Sequence, residues 1–405
     1  EGGLWIGTYY GGVNYLSPSA QQIRHFEYSG YSPSVSGNII SALCEDASQR
    51  IWIGSDDGGV DCYDPATNSF LKTPQTYRSL NVHALCAEGN TIWIGAYDGG
   101  LHRYDTRSGA MKVYTRAAAP ENADCSSVYS ICCDNSGTVW VGTMFGILSY
   151  DRGADVFRQR LGETSLVIDI CEDIYGDLWF ATQSNGLYRY RRAEDEFVNY
   201  NLQNGQLPSN QVNCLVTATG NEIYIGTSKG IVCHNLADGS FRQLEAKIPS
   251  DNVCYMVKNL GRMWVSTTTG LAYWDIFEGS WHNFTSFDEG AGAAYLIGSG
   301  LVSSSNELYL GTTKGFDVLS LSKLISNEVV PQVRISGIRA GDSEYGYDDL
   351  ACRIASSEPV RMKSTDQNLQ IHLYSNSFVN PVRNVYRYMM DGFEKEWNYT
   401  SDPHG

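Results

Sequence analysis

One short phrase recurs along the chain and constrains its fold more than any other feature. It reads Leu4-Trp5-Ile6-Gly7-Thr8, Ile51-Trp52-Ile53-Gly54-Ser55, Ile92-Trp93-Ile94-Gly95-Ala96, Val139-Trp140-Val141-Gly142-Thr143 and Leu178-Trp179-Phe180-Ala181-Thr182. It continues as Ile223-Tyr224-Ile225-Gly226-Thr227, Met263-Trp264-Val265-Ser266-Thr267 and Leu308-Tyr309-Leu310-Gly311-Thr312. Successive aromatic residues lie 47, 41, 47, 39, 45, 40 and 45 positions apart. A period of about 40–50 residues belongs to propeller blades or to helical arrays.

The content of each repeat decides between them. In the second copy Ile40 to Glu45 is a short apolar run, Asp46-Ala47-Ser48-Gln49-Arg50 a polar turn, and Ile51 to Gly54 a second strand. Asp56-Asp57-Gly58-Gly59 supplies glycines for a tight reversal. Val60 to Tyr63 is a third strand, Asp64-Pro65-Ala66-Thr67-Asn68 another turn, and Ser69-Phe70-Leu71 a fourth strand. Four short strands per repeat and no helical periodicity predict an antiparallel blade. The Trp strand is apolar on both faces, as expected of a strand sandwiched between two blades. The Gly after it allows the next blade to approach. The eight aromatics of the repeat are therefore expected to be interblade core.

We label the strands of a blade A to D, outward from the central channel. The first copy holds only B and C, from Leu4 to Tyr15. The last holds A to C, about Tyr295 to Leu319, and Ile23-Arg24-His25-Phe26 reads as a spare D strand. The expectation is that Ile23–Phe26 closes the last blade. Residues 22–321 then form a closed seven-bladed propeller of about 43 residues per blade, and residues 1–21 are a remnant of a preceding propeller. The rival count is eight blades, with the first copy as a partial blade.

A chain of 405 residues is long enough for two or more domains. Its net charge of −16 argues against a nucleic-acid or anionic-membrane surface. No apolar run approaches the roughly 18 residues of a membrane helix, and no signal peptide is read. The chain starts inside one repeat and stops inside another domain, which is the pattern expected of a piece of a longer protein. Cys44, Cys86, Cys132 and Cys171 fall at equivalent positions of successive A strands and read as small buried hydrophobes, with disulfides as the alternative although the spacing shows no small-domain framework. Cys132 and Cys133 are adjacent and point to opposite faces of their strand. Among eleven Cys there is no Cys-x-x-Cys pair and no Cys/His cluster, so no metal or cofactor is expected.

After Leu321 the repeat ends. Pro331 to Ile338 and Asn368 to Leu373 alternate like strands, and Asn384 to Trp397 follows, carrying Tyr386-Arg387-Tyr388, Asp391-Gly392-Phe393 and Trp397. Residues 322–405 read as the N-terminal part of an Ig-like β-sandwich. The fold class is thus all-β, a propeller of four-stranded antiparallel blades followed by part of a sandwich.

The blade signature is a strand, then Trp-Ile-Gly-Thr, two variable residues, Gly-Gly-Leu/Val and Tyr-Asp. It resembles the two-component regulator propeller repeat. The run at 386–397 resembles the triple-tyrosine Ig-like domain that follows such propellers. Together they cover nearly all of the chain and resemble the periplasmic sensor region of hybrid two-component histidine kinases. Tyr224 and Tyr309 depart from the pattern at Trp, and Ala181 and Ser266 at Gly. The Ig-like domain lacks its last strands and its final Tyr. The resemblance implies two seven-bladed propellers ahead of the Ig-like domain and an inner-membrane anchor with kinase modules beyond it. It further implies an oligosaccharide ligand and a homodimer.

No catalytic constellation stands out. The seven His lack metal-ligand spacing, and no Gly-x-Ser-x-Gly elbow or phosphate loop occurs. Asp46, Asp134 and Asp173 sit in A–B turns, where an Asp accepts backbone bonds. The fragment is expected to be non-catalytic; the alternative is a propeller-fold polysaccharide lyase or glycoside hydrolase whose carboxylates assemble from different blades. A protein-interaction scaffold is a third reading. Binding is expected on the face shared by the D–A and B–C loops, with Asp57, Tyr77, Arg78, Tyr97, Asp98, Phe145, Asn185 and Lys229 as candidates. Asp56, Met144, Gln183 and Lys314 share that face. Rings beside amides, carboxylates and an Arg suit sugars, whose C–H faces pack on aromatics while hydroxyls take polar partners.

Overall fold

The structure is a computed structural model that describes residues 4–16, 23–30, 34–74, 77–115, 123–217, 220–285, 294–322, 332–340, 343–346, 369–375, 385–392 and 394–400. The chain divides into two compact units, Gln22–Leu324 and the flanking stretches Glu1–Gln21 with Ile325–Gly405. All regular elements among the described residues are strands.

The larger unit is a propeller of seven four-stranded antiparallel blades. Blade 1 runs Ile40–Glu45, Ile51–Ser55, Gly59–Asp64, Ser69–Leu71. The A strands of blades 2 to 6 are Asn81–Glu88, Val128–Cys133, Val167–Glu172, Val212–Thr217 and Val253–Asn259. Blade 7 takes Tyr295–Val302, Glu307–Thr312 and Gly315–Ser320 from one end of the unit and Ile23–Phe26 from the other. The closing register is Ile23↔Leu319, Arg24↔Val318, His25↔Asp317 and Phe26↔Phe316, as the spare strand predicts. Phe26 stacks on Phe316 with centroids 4.8 Å apart. Closure pairs two strands that would otherwise leave open sheet edges. Each A strand packs against its neighbours around the ring, blade 7 against blade 1 included.

The core lies between blades. Ile51–Ser55, Val139–Thr143 and Leu178–Thr182 are buried at every residue. Trp52, Trp93, Trp140, Trp179 and Trp264 are buried, and so is Tyr309. The Gly after the Trp pair is required by close approach. A Cβ on Gly54 would lie 2.5 Å from Val82 of the next blade, and one on Gly95 would lie 2.4 Å from Val128. In blade 4, Ala181 fills that place and packs with Val212 in one cluster.

Three readings are corrected. The eight-blade alternative does not occur, because the first copy forms only a two-stranded hairpin, Leu4–Thr8 with Gly12–Leu16. Trp5 is not core either: it is 52 % exposed, since among the described residues its hairpin has no further strand beside it. Tyr224 is half-buried rather than enclosed.

In the other unit Ser343–Gly346, Val333–Ala340 and Leu369–Ser375 form a three-stranded antiparallel sheet. Tyr386–Tyr388 pairs with Asn398–Thr400, and the Arg387 guanidinium lies over the Trp397 ring at 4.7 Å. Phe393 lies outside the described residues.

Candidate functional site

The same defect recurs at the start of six A strands. Each carries a one-residue bulge against its B strand, between Ile40 and Ala42, Val82 and Ala84, Val128 and Ser130, Val167 and Asp169, Val212 and Cys214, and Val253 and Tyr255. In the seventh the irregularity spans Tyr295 to Gly300. A bulge leaves its extra residue unpaired and re-aims its side chain. The extra residues are Ser41, His83, Tyr129, Ile168, Asn213 and Cys254.

Four of them, Ser41, His83, Tyr129 and Ile168, line one cavity of about 460 Å³. Asp56, Gln183 and Thr268 reach it from B–C loops, and Ala294 to Gly298 complete the wall. Residues from blades 1, 2, 3, 4, 6 and 7 thus converge on the axial mouth of the ring, on the face shared by the D–A and B–C loops.

The polar edge of this mouth is built from blades 1 to 3. His83 and Tyr129 rings lie 4.6 Å apart, tilted by 33°. Tyr97, 46 % exposed, stands edge-on to both at 6.5 Å. Asp56 Oδ1 lies 3.5 Å from His83 Nδ1 and is buried without a hydrogen-bond partner. An unsatisfied buried carboxylate oxygen marks a place where a donor is wanted. Burial raises the Asp56 carboxyl above its ordinary range, opposed by the His83 charge and by a hydrogen bond with Ser41. Burial likewise lowers His83, opposed by Asp56. One blade on, Asp169 sits next to the bulged Ile168 and accepts the Leu215 N–H at 2.8 Å. Its burial raises it to about 7, above what the Leu215 and Ile170 N–H groups recover.

The residues expected from the sequence scatter more widely. Tyr97, Asp56 and Gln183 gather at the mouth or beside it. Tyr77 does not face solvent: it is 1 % exposed, packed edge-on to His102 and Tyr104, with its hydroxyl unpartnered among the described residues. Its aromatic ring is part of the blade 1–blade 2 core. Asp57 is exposed, but its carboxylate already accepts the Asn38 and Ile39 N–H groups and braces its own D–A loop. Asn185 similarly accepts the Ser165 N–H. Arg78, Asp98, Phe145 and Lys229 are on the loop rim and outside the mouth lining. His83 and Tyr129 were missed, because an A strand gives no sequence sign of which residue is the extra one.

The A–B turn carboxylates are structural. Asp46 accepts the Ser48 and Arg50 N–H groups, Asp173 the Tyr175 and Asp177 N–H groups, and Asp134 the Thr138 N–H and the Ser136 hydroxyl. Among the described residues no His, Cys, Asp and Glu group is arranged to hold a metal ion.

Fold and mouth together define a closed seven-bladed propeller that presents an axial pocket on one loop face. The family model of the two component regulator propeller matches residues 34–57 and 123–145. These two stretches run from the D–A loop through the Trp strand of blades 1 and 3. Histidine kinase P4 of Formosa agariphila is 21% identical over 289 residues, covering 68% of this chain and 18% of that protein. The extracellular domain of the hybrid two component system BT3049 from B. thetaiotaomicron superposes with a TM-score of 0.76 at 19% identity. That match covers 98% of this chain and 55% of the other. Virginiamycin B lyase from Staphylococcus aureus shares the propeller with a TM-score of 0.58 at 14% identity, over 74% of this chain and 99% of the lyase. The chain therefore spans less than a fifth of the kinase and about half of the extracellular domain.

Proposed function

We propose that this chain is part of the extracytoplasmic, ligand-sensing region of a membrane-anchored two-component sensor kinase, and that its ligand is an oligosaccharide. The regulator repeat and the kind of relatives that share it support the sensor reading. The observation that carries the ligand class is the mouth itself: His83 and Tyr129 4.6 Å apart, Tyr97 beside them and an unpartnered Asp56 oxygen. Rings offer flat apolar faces for sugar C–H groups, while Asp56 and Gln183 supply an acceptor and an amide for hydroxyls.

Sensing requires that the ligand favour one arrangement of domains over another. A sugar held at the mouth and touched also by a preceding propeller meets that requirement, because the two halves of its site meet in one arrangement. Residues 1–21 are then the tail of that propeller, and the C-terminal strands the start of an Ig-like domain that relays the change in a homodimer. Calorimetry with a panel of glycan fragments, on the intact ectodomain and on this chain, tests the reading. Binding by the ectodomain and weak or no binding by this chain is expected. Equal tight binding by both contradicts the bridging site, and binding of a peptide but of no glycan contradicts the sugar.

The second reading, a propeller-fold lyase or hydrolase, draws on the fold shared with virginiamycin B lyase. Release of product from any glycan in the panel, abolished by one point mutation, would establish it in place of sensing.

A further inference from the structure

In blades 1 to 4 the Cys of the A strands obey the repeat, with one exception. Cys44, Cys86, Cys132 and Cys171 stand opposite the repeat Trp of their blades, in register with Trp52, Trp93, Trp140 and Trp179. The next residue of each A strand points the other way, toward the preceding blade. In blades 2 to 5 that residue is Ala87, Cys133, Glu172 and Thr217. Cys44 meets the Ala87 side of blade 2 in a shared cluster. Between blades 2 and 3 alone in this series, a Cys faces a Cys. Cys86 Sγ lies 3.3 Å from Cys133 Sγ, and both side chains are half-buried.

We propose that Cys86 and Cys133 form a disulfide that joins blades 2 and 3. Bond formation needs the sulfurs to close by about 1 Å, a side-chain adjustment between two strands already packed together. The oxidant is a disulfide donor, a protein disulfide or oxidised glutathione. The Cys86 thiolate attacks it, forms a mixed disulfide and releases one thiol. The Cys133 thiolate then attacks Cys86 Sγ, and the second thiol leaves. Two electrons pass to the donor, and the two protons lost by the cysteines end on its thiols. The contact with Cys86, together with burial, holds the Cys133 thiol far above its ordinary range, so exchange in the finished ring is slow and the bond is set as the blades dock.

The position gives the bond a purpose. Cys86 is on the strand of His83, and Cys133 on the strand of Tyr129. A covalent tie between these strands fixes the spacing of the two rings at the mouth. That consequence rests on the proposed sugar site, and the oxidising setting on the proposed extracytoplasmic placement; the bond itself rests on neither.

The test starts from chain fully reduced in denaturant, refolded in the presence of oxidised glutathione, then mapped by non-reducing proteolysis and mass spectrometry. A peptide joining Cys86 to Cys133 is expected, with the thiol titre in denaturant two below the eleven of the sequence. Cys86→Ser and Cys133→Ser should each remove that peptide. The oxidised wild type should melt at a higher temperature than the reduced form, and the Ser variants should lose this redox shift. A full titre of eleven thiols, or a bond between any other pair, overturns the proposal. If the bond forms and glycan affinity is the same with and without it, the staple stands and its role at the mouth is wrong.

Discussion

His25 Nδ1 lies 2.7 Å from Oδ1 of Asp317, 292 residues away in the sequence. The pair sits directly across the strand ladder that closes blade 7, and the Tyr295 hydroxyl donates to the other oxygen of Asp317 at 3.1 Å. Ring closure is thus held by a polar clamp as well as by the stacked Phe26 and Phe316.

This clamp is pH-dependent. The hydrogen bond with Asp317 raises His25 above its ordinary value, against the opposing effect of burial, and Glu27 at 4.0 Å adds to the rise. A raised base contributes its full stability below the unfolded value of about 6.5 and loses it as pH rises through the folded value. Melting temperature should fall on the alkaline side of that range. Asp317→Asn should flatten the fall in melts recorded across neutral pH; identical slopes for both proteins contradict the clamp.

The indole of each buried Trp in blades 1, 3 and 4 donates to an Asp six residues upstream. Trp52 reaches Asp46 at 3.0 Å, Trp140 reaches Asp134 at 2.9 Å and Trp179 reaches Asp173 at 2.8 Å. Trp179→Ala should cost about 3–5 kcal/mol, as for other large core aromatics. Asp173→Ala should cost about 1–3 kcal/mol, because it orphans a buried indole N–H. Urea unfolding checks both, and wild-type midpoints for either variant refute the assignment.

Two of these turn carboxylates, Asp46 and Asp134, also contribute to acid stability. Burial alone would raise Asp46 and Asp134, but hydrogen bonds outweigh it, from Arg50 and Trp52 to the first and from Ser136, Arg192 and Trp140 to the second. Both carboxyls end below their ordinary value. A depressed acid contributes stability above the unfolded value of about 3.9 and loses it as pH falls through the folded one. Asp46→Asn should therefore narrow the acid-side loss of stability, measured by urea midpoints below pH 5 (roughly where that loss begins).

Asp169 behaves in the opposite sense. Burial raises it to about 7. The folded state then prefers the protonated acid, and stability is lost as pH rises from the unfolded value of about 3.9 toward the folded one. Carboxyl-detected NMR should find this group titrating near neutrality, and Asp169→Asn should remove its share of the slope. Titration in the usual carboxylate range would show that channel water reaches it freely.

The blades were legible because each one repeats the same solution. Two-faced apolar strands, glycines at close approach and the spare Ile23–Phe26 strand all follow from burial and edge pairing. The Asp–indole bond was half legible. The A–B turn Asp was read as a turn residue, while its second role appears only in three dimensions. Within the chain it leaves a trace: in blade 7 Tyr309 stands for Trp and Ser303 stands six residues upstream, and the Tyr hydroxyl turns to Glu307 instead at 2.9 Å. Tyr224 likewise reaches Glu222 at 2.8 Å. The mouth was the least legible part. Loop residues such as Asp57 and Tyr77 looked available, but one braces its loop and the other fills the core. The bulged His83 and Tyr129 lie inside strands, where pattern alone assigns a side chain to the blade rather than to the channel.

The most direct test of the proposed sugar site at the mouth is calorimetry on the intact ectodomain carrying Tyr129→Ala or His83→Ala, against the glycan that binds the wild type. Both variants should fold with unchanged circular dichroism, since the bulged residues make no ladder pair. Removing a stacking ring should weaken binding by about tenfold, the equivalent of about 1.4 kcal/mol. Wild-type affinity in both variants would place the ligand elsewhere and contradict the account.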